Sequence, residues 1–287
     1  MRFINGISEI VDKHDFFIID LWGVLHDGHD PYPGAINALK NIKAKGKKII
    51  LLSNAPRRSS KAKAILEKMG FSSNLYDMIL TSGDVTFEYV KEVYAKGTKY
   101  YYIGPDKDRD LLEGLGMVEI AKPHGAEFAI ATGFEGFGSV FSEKKHQLDL
   151  ALKESITLLV ANPDKKVVKQ TGEEQICSGL MGEYYTQHGG RTLYFGKPHS
   201  NAYKKCLEFF GVNENSKLDC KRILCIGDSL HTDIVGANKI HAGSVFVAGG
   251  IYKNELYENG RINENNLRRL IETDKEKPEY FTNQFHW

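Results

Sequence analysis

The chain has 287 residues, 41% of them hydrophobic, which is enough for one large domain or two ordinary ones with separate cores, and two is the expectation. Its 38 Lys and Arg against 37 Asp and Glu leave a formal charge of +1, so no whole-molecule field favours nucleic acid or an anionic membrane. No run approaches the ~20 apolar residues of a membrane span or the core of a signal peptide, which leaves a cytoplasmic protein with a small-molecule partner; a homodimer stays open.

Apolar runs ending in Gly, Asp, Ser or Asn alternate with helix-period segments, the pattern of βα units and a mostly parallel sheet. In chain order the pattern predicts a strand at Phe16 to Asp20, a helix at Gly34 to Lys45 and a strand at Lys47 to Leu52. A helix at Ser59 to Met69, N-capped by Ser59 and stopped by Gly70, leads to a strand at Met78 to Thr81. A second α/β set fills the middle, with strands near Tyr100 to Ile103, Phe128 to Ala131 and Leu158 to Ala161. Its helices are predicted near Glu143 to Lys153 and Glu174 to Gln187. A helix at Asn201 to Phe210 and a strand at Arg222 to Ile226 return to the first set. The fold class is therefore α/β, a doubly wound, Rossmann-like parallel-sheet core (residues 1–83 and 189–287) with an inserted smaller α/β cap domain (84–188). Ser82 to Asp84 mark the entry by turn-like composition and Gly189–Gly190 the exit. The four cysteines, Cys177, Cys206, Cys220 and Cys225, form no C-x-x-C pair and read as reduced thiols, not as a disulfide or zinc framework.

The chemistry gathers at predicted strand ends. F-F-I-I-D-L-W-G-V puts Asp20 where a buried strand stops and Gly23 in the turn beyond it, at the carboxyl edge where open α/β sheets bind ligands. K-K-I-I-L-L-S-N brings the hydroxyl of Ser53 and the amide of Asn54 to the same edge. R-I-L-C-I-G-D-S-L-H-T-D adds Asp228, with Asp233 five residues later. Converging carboxylates repel, and a hard divalent cation with oxygen ligands relieves this; magnesium is the natural candidate. Lys197 in Y-F-G-K-P-H-S adds a fixed positive charge against phosphate oxygens.

D-L-W-G-V, S-N, G-K-P and G-D-S-L-H-T-D, in that order and spanning nearly the whole chain, resemble the four motifs of the haloacid dehalogenase superfamily of aspartate-nucleophile hydrolases. The long insertion between the second and third motifs, with A-N-P-D at Ala161 to Asp164, is similar to the class with a large α/β cap, the nitrophenyl-phosphatase-like and sugar-phosphatase-like members. The resemblance implies a magnesium-dependent phosphohydrolase acting on a small phosphorylated metabolite, with Asp20 attacking phosphorus to give an aspartyl-phosphate. It implies Asp20, Asp228 and the Trp22 carbonyl as magnesium ligands, with Asp233 supporting the metal site directly or through water. It implies Ser53, Asn54, Lys197 and the Gly23 amide as holders of the phosphoryl oxygens.

Trp22 departs from that pattern, because phosphatases of the superfamily usually carry there a second aspartate that protonates the leaving oxygen. Indole supplies no acid, and losing a general acid typically costs ~10² to 10⁴ in rate. Activated phosphates therefore become the favoured substrates, with His26 or Asp27 as the nearby groups able to stand in. Other readings of the same core are a dehalogenase, a carbon–phosphorus hydrolase, or a phosphate-binding protein of low activity. G-K-P is not a nucleotide loop, since Arg191 stands at the first Gly position and Pro198 replaces Ser or Thr. His26 to Asp30, H-D-G-H-D, reads as a flap loop, Tyr100 to Tyr102 as a half-buried strand, and Asn162 and Asp164 equally as substrate-facing groups or as turn residues. Residues Asp84 to Gln187 are expected to move as a cap that excludes water during transfer and admits it for hydrolysis.

Overall fold

The computed structural model describes all residues from Met1 to Trp287. An edge strand β1 (Arg2–Phe3) precedes β2 (Phe16–Ile19), which is apolar throughout and buried from Phe17 on. Unbroken burial is what a parallel strand covered on both faces requires. In α1 (Ala35–Ala44) the buried Ala35, Ala38, Leu39 and Ile42 repeat at helical spacing and form the stripe that packs on the sheet. β3 (Lys48–Ser53), α2 (Ser59–Lys68) and β4 (Met78–Thr81) complete this half, and Gly70, at φ +88°, turns the chain out of α2.

Two local expectations change here. Ser59 is the first residue of α2 and not its N-cap, which is Arg58; the Ser59 N–H is satisfied by Asp84, 3.1 Å away. Ser82 to Asp84 are not a turn but the first turn of α3 (Ser82–Val93). Thr81 and Asp84 form a reciprocal capping box there, Asp84 N–H donating to Thr81 Oγ1 at 3.0 Å and Thr81 N–H to Asp84 Oδ2 at 3.2 Å.

The second unit contains β5 (Lys99–Ile103), β6 (Val118–Ile120), β7 (Phe128–Ala131), α4 (Ser142–Lys153) and β8 (Thr157–Val160). The hairpin β9 (Lys166–Val168) and β10 (Glu174–Ile176), then α5 (Gly179–Gln187) and β11 (Thr192–Tyr194), complete it. Tyr100 to Tyr102 are buried within β5. Glu174 to Ile176, expected as the start of a helix, pair antiparallel with Lys166 to Val168 across a turn at Gly172, φ +87°. The β-branched Val167–Val168 arm and a Lys166–Glu174 ion pair of 3.0 Å favour the hairpin.

The chain returns through α6 (Ser200–Phe210), β12 (Ile223–Gly227) and β13 (Gly243–Val247), then a small hairpin of β14 (Tyr257–Glu258) and β15 (Arg261–Ile262), and ends on β16 (Tyr280–Thr282). The main sheet is parallel, ordered β1-β16-β13-β12-β2-β3-β4, and the second runs β11-β8-β7-β5-β6. Because β11 lies in the second sheet, we draw the exit from the inserted unit after Tyr194 instead of at 188, and the entry along α3, which straddles 84.

One apolar cluster runs through both units. Ile50, Leu52 and Leu80 of the main sheet join Val85 and Val90 of α3, and through them Tyr100, Phe128 and Leu159 of the second sheet. The inserted unit therefore packs on the core along α3 through a continuous apolar contact. In the main sheet, register pairs Ile19 with both Leu51 and Ile226, so Asp20, Ser53 and Asp228, one or two residues further along β2, β3 and β12, come to one edge.

Candidate active site

At that edge Lys197 Nζ lies 2.5 Å from Asp20 Oδ1 and 2.7 Å from Asp233 Oδ1, with all three side chains buried. Asp233 sits in a π-helical turn, Leu230–Ile234, and its other oxygen accepts the Ser229 N–H at 3.2 Å. Asp228 follows β12 and accepts the Ile251 N–H at 2.6 Å. Oxygens of Asp20, Asp228 and Asp233 come within 4.8 Å of one another. Two glycines permit this crowding, since a Cβ on Gly23 (φ +81°) would stand 1.8 Å from Asp228 Oδ2 and one on Gly250 2.1 Å from it.

Three buried carboxylates against one ammonium leave a charge deficit, and the titration behaviour follows it. Burial, reinforced by Asp233 and opposed by Lys197, pushes Asp20 up to about 8. Burial, with Asp20 and Asp233 beside it, holds Asp228 well above the carboxylate range. Burial alone would lower Lys197, but Asp20 and Asp233 outweigh it and keep the ammonium charged. An all-oxygen set short of positive charge fits a hard divalent cation. The Trp22 carbonyl accepts no hydrogen bond in the protein and is free to join that set.

The expected phosphate ligands divide. Ser53 faces the cavity, its Oγ accepting the Ala55 N–H at 3.2 Å and keeping its own proton to donate. Asn54 is spent on structure: its amide donates to Asp164 Oδ1 (2.8 Å) and to the Lys197 carbonyl (3.1 Å), and its oxygen accepts the Lys197 N–H (2.7 Å). The Gly23 N–H, expected to reach phosphate, is donated to the His26 carbonyl at 2.9 Å. The backbone N–H groups of Leu21, Trp22 and Asn54 bond no protein acceptor and are the free donors beside Asp20.

Above this edge lies a cavity of about 300 Å³, walled by Asp20, Trp22, Ser53 and Asp228 from the core and by Phe137, Asn162, Asp164 and Gln175 from the inserted unit. The Trp22 indole N–H donates to the Val168 carbonyl at 2.8 Å, binding the β9–β10 hairpin to the loop after Asp20. The Gln170 N–H reaches Asp27 Oδ2 at 3.1 Å, and Lys253 Nζ reaches the Gln170 carbonyl at 2.5 Å. His26 and Asp27 do not line the cavity. His26 Nδ1 accepts the Gly28 N–H, and burial pulls its ring down to about 4, so it stays neutral near pH 7. Asp27 accepts the N–H groups of His29, Asp30 and Gln170, which together outweigh its burial and hold it below the usual range. Neither is placed to replace the acid absent at Trp22. The contacts of Val168, Ile251 and the Asn54–Asp164 pair carry no sequence signal, since they join segments far apart in the chain.

The family description Haloacid dehalogenase-like hydrolase matches residues 17–118, and a companion description of the same hydrolase family matches residues 194–273. The chain is a haloacid dehalogenase-like hydrolase. This hydrolase shares 28% identity and a TM-score of 0.81 with the crystal structure of a haloacid dehalogenase-like hydrolase from Brucella suis 1330, covering 98% of this chain and 99% of that one. It is 25% identical to the sugar-phosphatase AraL of Bacillus subtilis over 82% of this chain and 84% of that protein. It is 22% identical to the D-glycerol 3-phosphate phosphatase of Mycobacterium tuberculosis, spanning 85% of this chain and 66% of that relative's length. A glycerol phosphate phosphatase from the same organism, solved with magnesium, shares the fold at a TM-score of 0.66 and 19% identity, covering 95% of this chain and 75% of that one.

Proposed function

We propose that this hydrolase is a magnesium-dependent phosphatase acting on a small phosphorylated metabolite through an aspartyl-phosphate formed on Asp20. The observation that carries the reading is Lys197 Nζ set between Asp20 and Asp233, with Asp228 alongside. Asp20, Asp228, the Trp22 carbonyl and Asp233 would hold the magnesium, which when bound neutralises charge on the carboxylates and the phosphoryl group. Lys197 draws a phosphoryl oxygen and, together with the charge of the metal, favours the ionised form of Asp20 against its burial, while Ser53 and the free amides beside Asp20 orient the remaining oxygens. Asp20 then attacks phosphorus in line, and water later cleaves the acyl phosphate. The β9–β10 hairpin walls one side of the cavity, and its closing down over bound substrate would limit stray water in the first step.

Dehalogenation on the same core has no use for the three-carboxylate cluster, and a carbon–phosphorus hydrolase would want a Schiff-base lysine on the cavity wall. Of the three lysines there, Lys197 is engaged by Asp20 and Asp233, Lys166 by Glu174 and Glu255, and Lys107 donates to the Glu135 carbonyl at the rim. A binding protein without turnover would not require the nucleophile. The deciding experiment is a screen of phosphate esters, acyl phosphates and haloacids with and without magnesium. Phosphate release that needs magnesium and disappears in a folded Asp20→Asn variant is expected; turnover by that variant, or equal rates in chelator, would refute the mechanism.

A further inference from the structure

The proposed reaction lacks a proton donor at the position beside the nucleophile. Trp22 stands there with its only polar group already donated to Val168, so it cannot exchange a proton with a departing oxygen. In an in-line displacement that oxygen leaves on the side of phosphorus opposite Asp20, toward the wall contributed by the inserted unit. No histidine or tyrosine lines the cavity, and its acidic residues apart from Asp20 and Asp228 are Asp108 and Asp164. Asp108 faces the Arg57 guanidinium at 3.8 Å. Cys177 is buried, and burial holds its thiol far too high to trade protons near neutrality. Asp164 has one oxygen held by Asn54 at 2.8 Å and accepts no hydrogen bond on the other. The same Asn54 side chain grips the Lys197 backbone, and Lys197 grips Asp20, so Asp164 is held in register with the nucleophile through two side chains.

We propose that Asp164 is the general acid and base of this hydrolase, supplying from the inserted unit the proton transfer that Trp22 cannot perform. In the first step the Asp20 carboxylate forms a bond to phosphorus, the ester P–O bond breaks, and the leaving oxygen takes the Asp164 proton and departs as the alcohol. In the second step the Asp164 carboxylate takes a proton from the water that attacks phosphorus, the bond from phosphorus to Asp20 breaks, and inorganic phosphate leaves with Asp164 protonated again. Burial raises Asp164 to about 6 against the lowering influence of Lys197 and Asn54, with Asp233 adding to the rise. A group poised there is a competent donor and acceptor near neutral pH. The free oxygen is the one placed to act, because the other is needed to keep the Asn54 contact.

The inference rests on the phosphatase reading, and the test separates the two. Phosphate monoesters graded from 4-nitrophenol to simple alcohols are assayed with magnesium on wild type, Asp164→Asn and Asp164→Glu. Asp164→Asn keeps an acceptor for Asn54 and should lose roughly 10² to 10³ in kcat on alkyl esters but little on the nitrophenyl ester, steepening the dependence on leaving-group basicity. Asp164→Glu, which keeps an acid, should recover part of the alkyl rate. Equal losses on every ester, or unchanged rates throughout, would make Asp164 a positioning residue or a bystander and overturn the proposal while leaving the phosphatase reading standing. Wild type that hydrolyses none of the esters would remove both.

Discussion

At Lys197 a single ammonium answers two carboxylates, and its place in the sequence, before a proline in a loop, says nothing of this. Strand-end position made Asp20 and Asp228 readable as candidate site residues and the G-K-P motif did the same for Lys197; that its ammonium sits between Asp20 and Asp233 only the fold decided. His26 shows the reverse, a residue type suited to acid–base work that packing has retired. Unfolded, its ring titrates near ~6.5; folded, burial brings it down to about 4. Between those values the unfolded chain binds the extra proton, so stability falls as pH drops through the window and levels off below it, by up to about 3 kcal/mol. Denaturation curves on His26→Asn, which keeps an acceptor for Gly28 but does not titrate, should show a flatter acid limb between pH 6.5 and 4. An unchanged limb would assign the acid sensitivity to other groups.

Among the elements, the β9–β10 hairpin is the piece that encloses the site, and Trp22 is its latch. Trp22→Phe keeps an aromatic ring but deletes the N–H bonded to Val168. The loss of about 1 kcal/mol expected for one hydrogen bond should speed amide exchange in Lys166 to Ile176 by roughly fivefold, with little change elsewhere. Exchange that stays as slow as in wild type would show the hairpin to be held by its other contacts. Asp84 does similar duty at the base of the inserted unit, capping α3 through Thr81, closing the first turn of α2 at Ser59 and pairing with Arg58 at 2.9 Å. Asp84→Ala removes two caps at once and should cost about 2 kcal/mol, read as a drop in denaturation midpoint without a change in slope. A loss well under half of that would mean that one of the two helix ends finds another partner.

For the whole molecule, the two units share an apolar interior across α3, so opening by rigid-body swing would expose buried Val85, Val90, Tyr100 and Phe128. Water entry for the second chemical step is then better served by movement of the hairpin than by a swing of the entire inserted unit. The carboxylate cluster is itself a cost to the metal-free fold. Magnesium at 100 times its dissociation constant should add about 2.7 kcal/mol and raise Tm by roughly 5 °C, reversed by chelator. A Tm indifferent to magnesium would place the metal elsewhere or nowhere in this chain.

By itself the sequence determined the α/β alternation and the strands that end in Asp20, Ser53 and Asp228, and it supplied the residue types from which the metal-assisted phosphate site is proposed. These are local matters, because burial on both faces writes an apolar run and a strand end writes the polar residue after it. The tertiary structure alone decided that Gly23 and Asn54 spend their amides on His26, Lys197 and Asp164, and that His26 and Asp27 turn away from the cavity. It also decided that Glu174 begins a strand and that β11 belongs to the second sheet. These depend on which partner, near or distant, claims a hydrogen-bonding group first, and a backbone amide or a side-chain oxygen shows no preference between water, substrate and a neighbour 110 residues away, as Asn54 and Asp164 are, until the chain has folded.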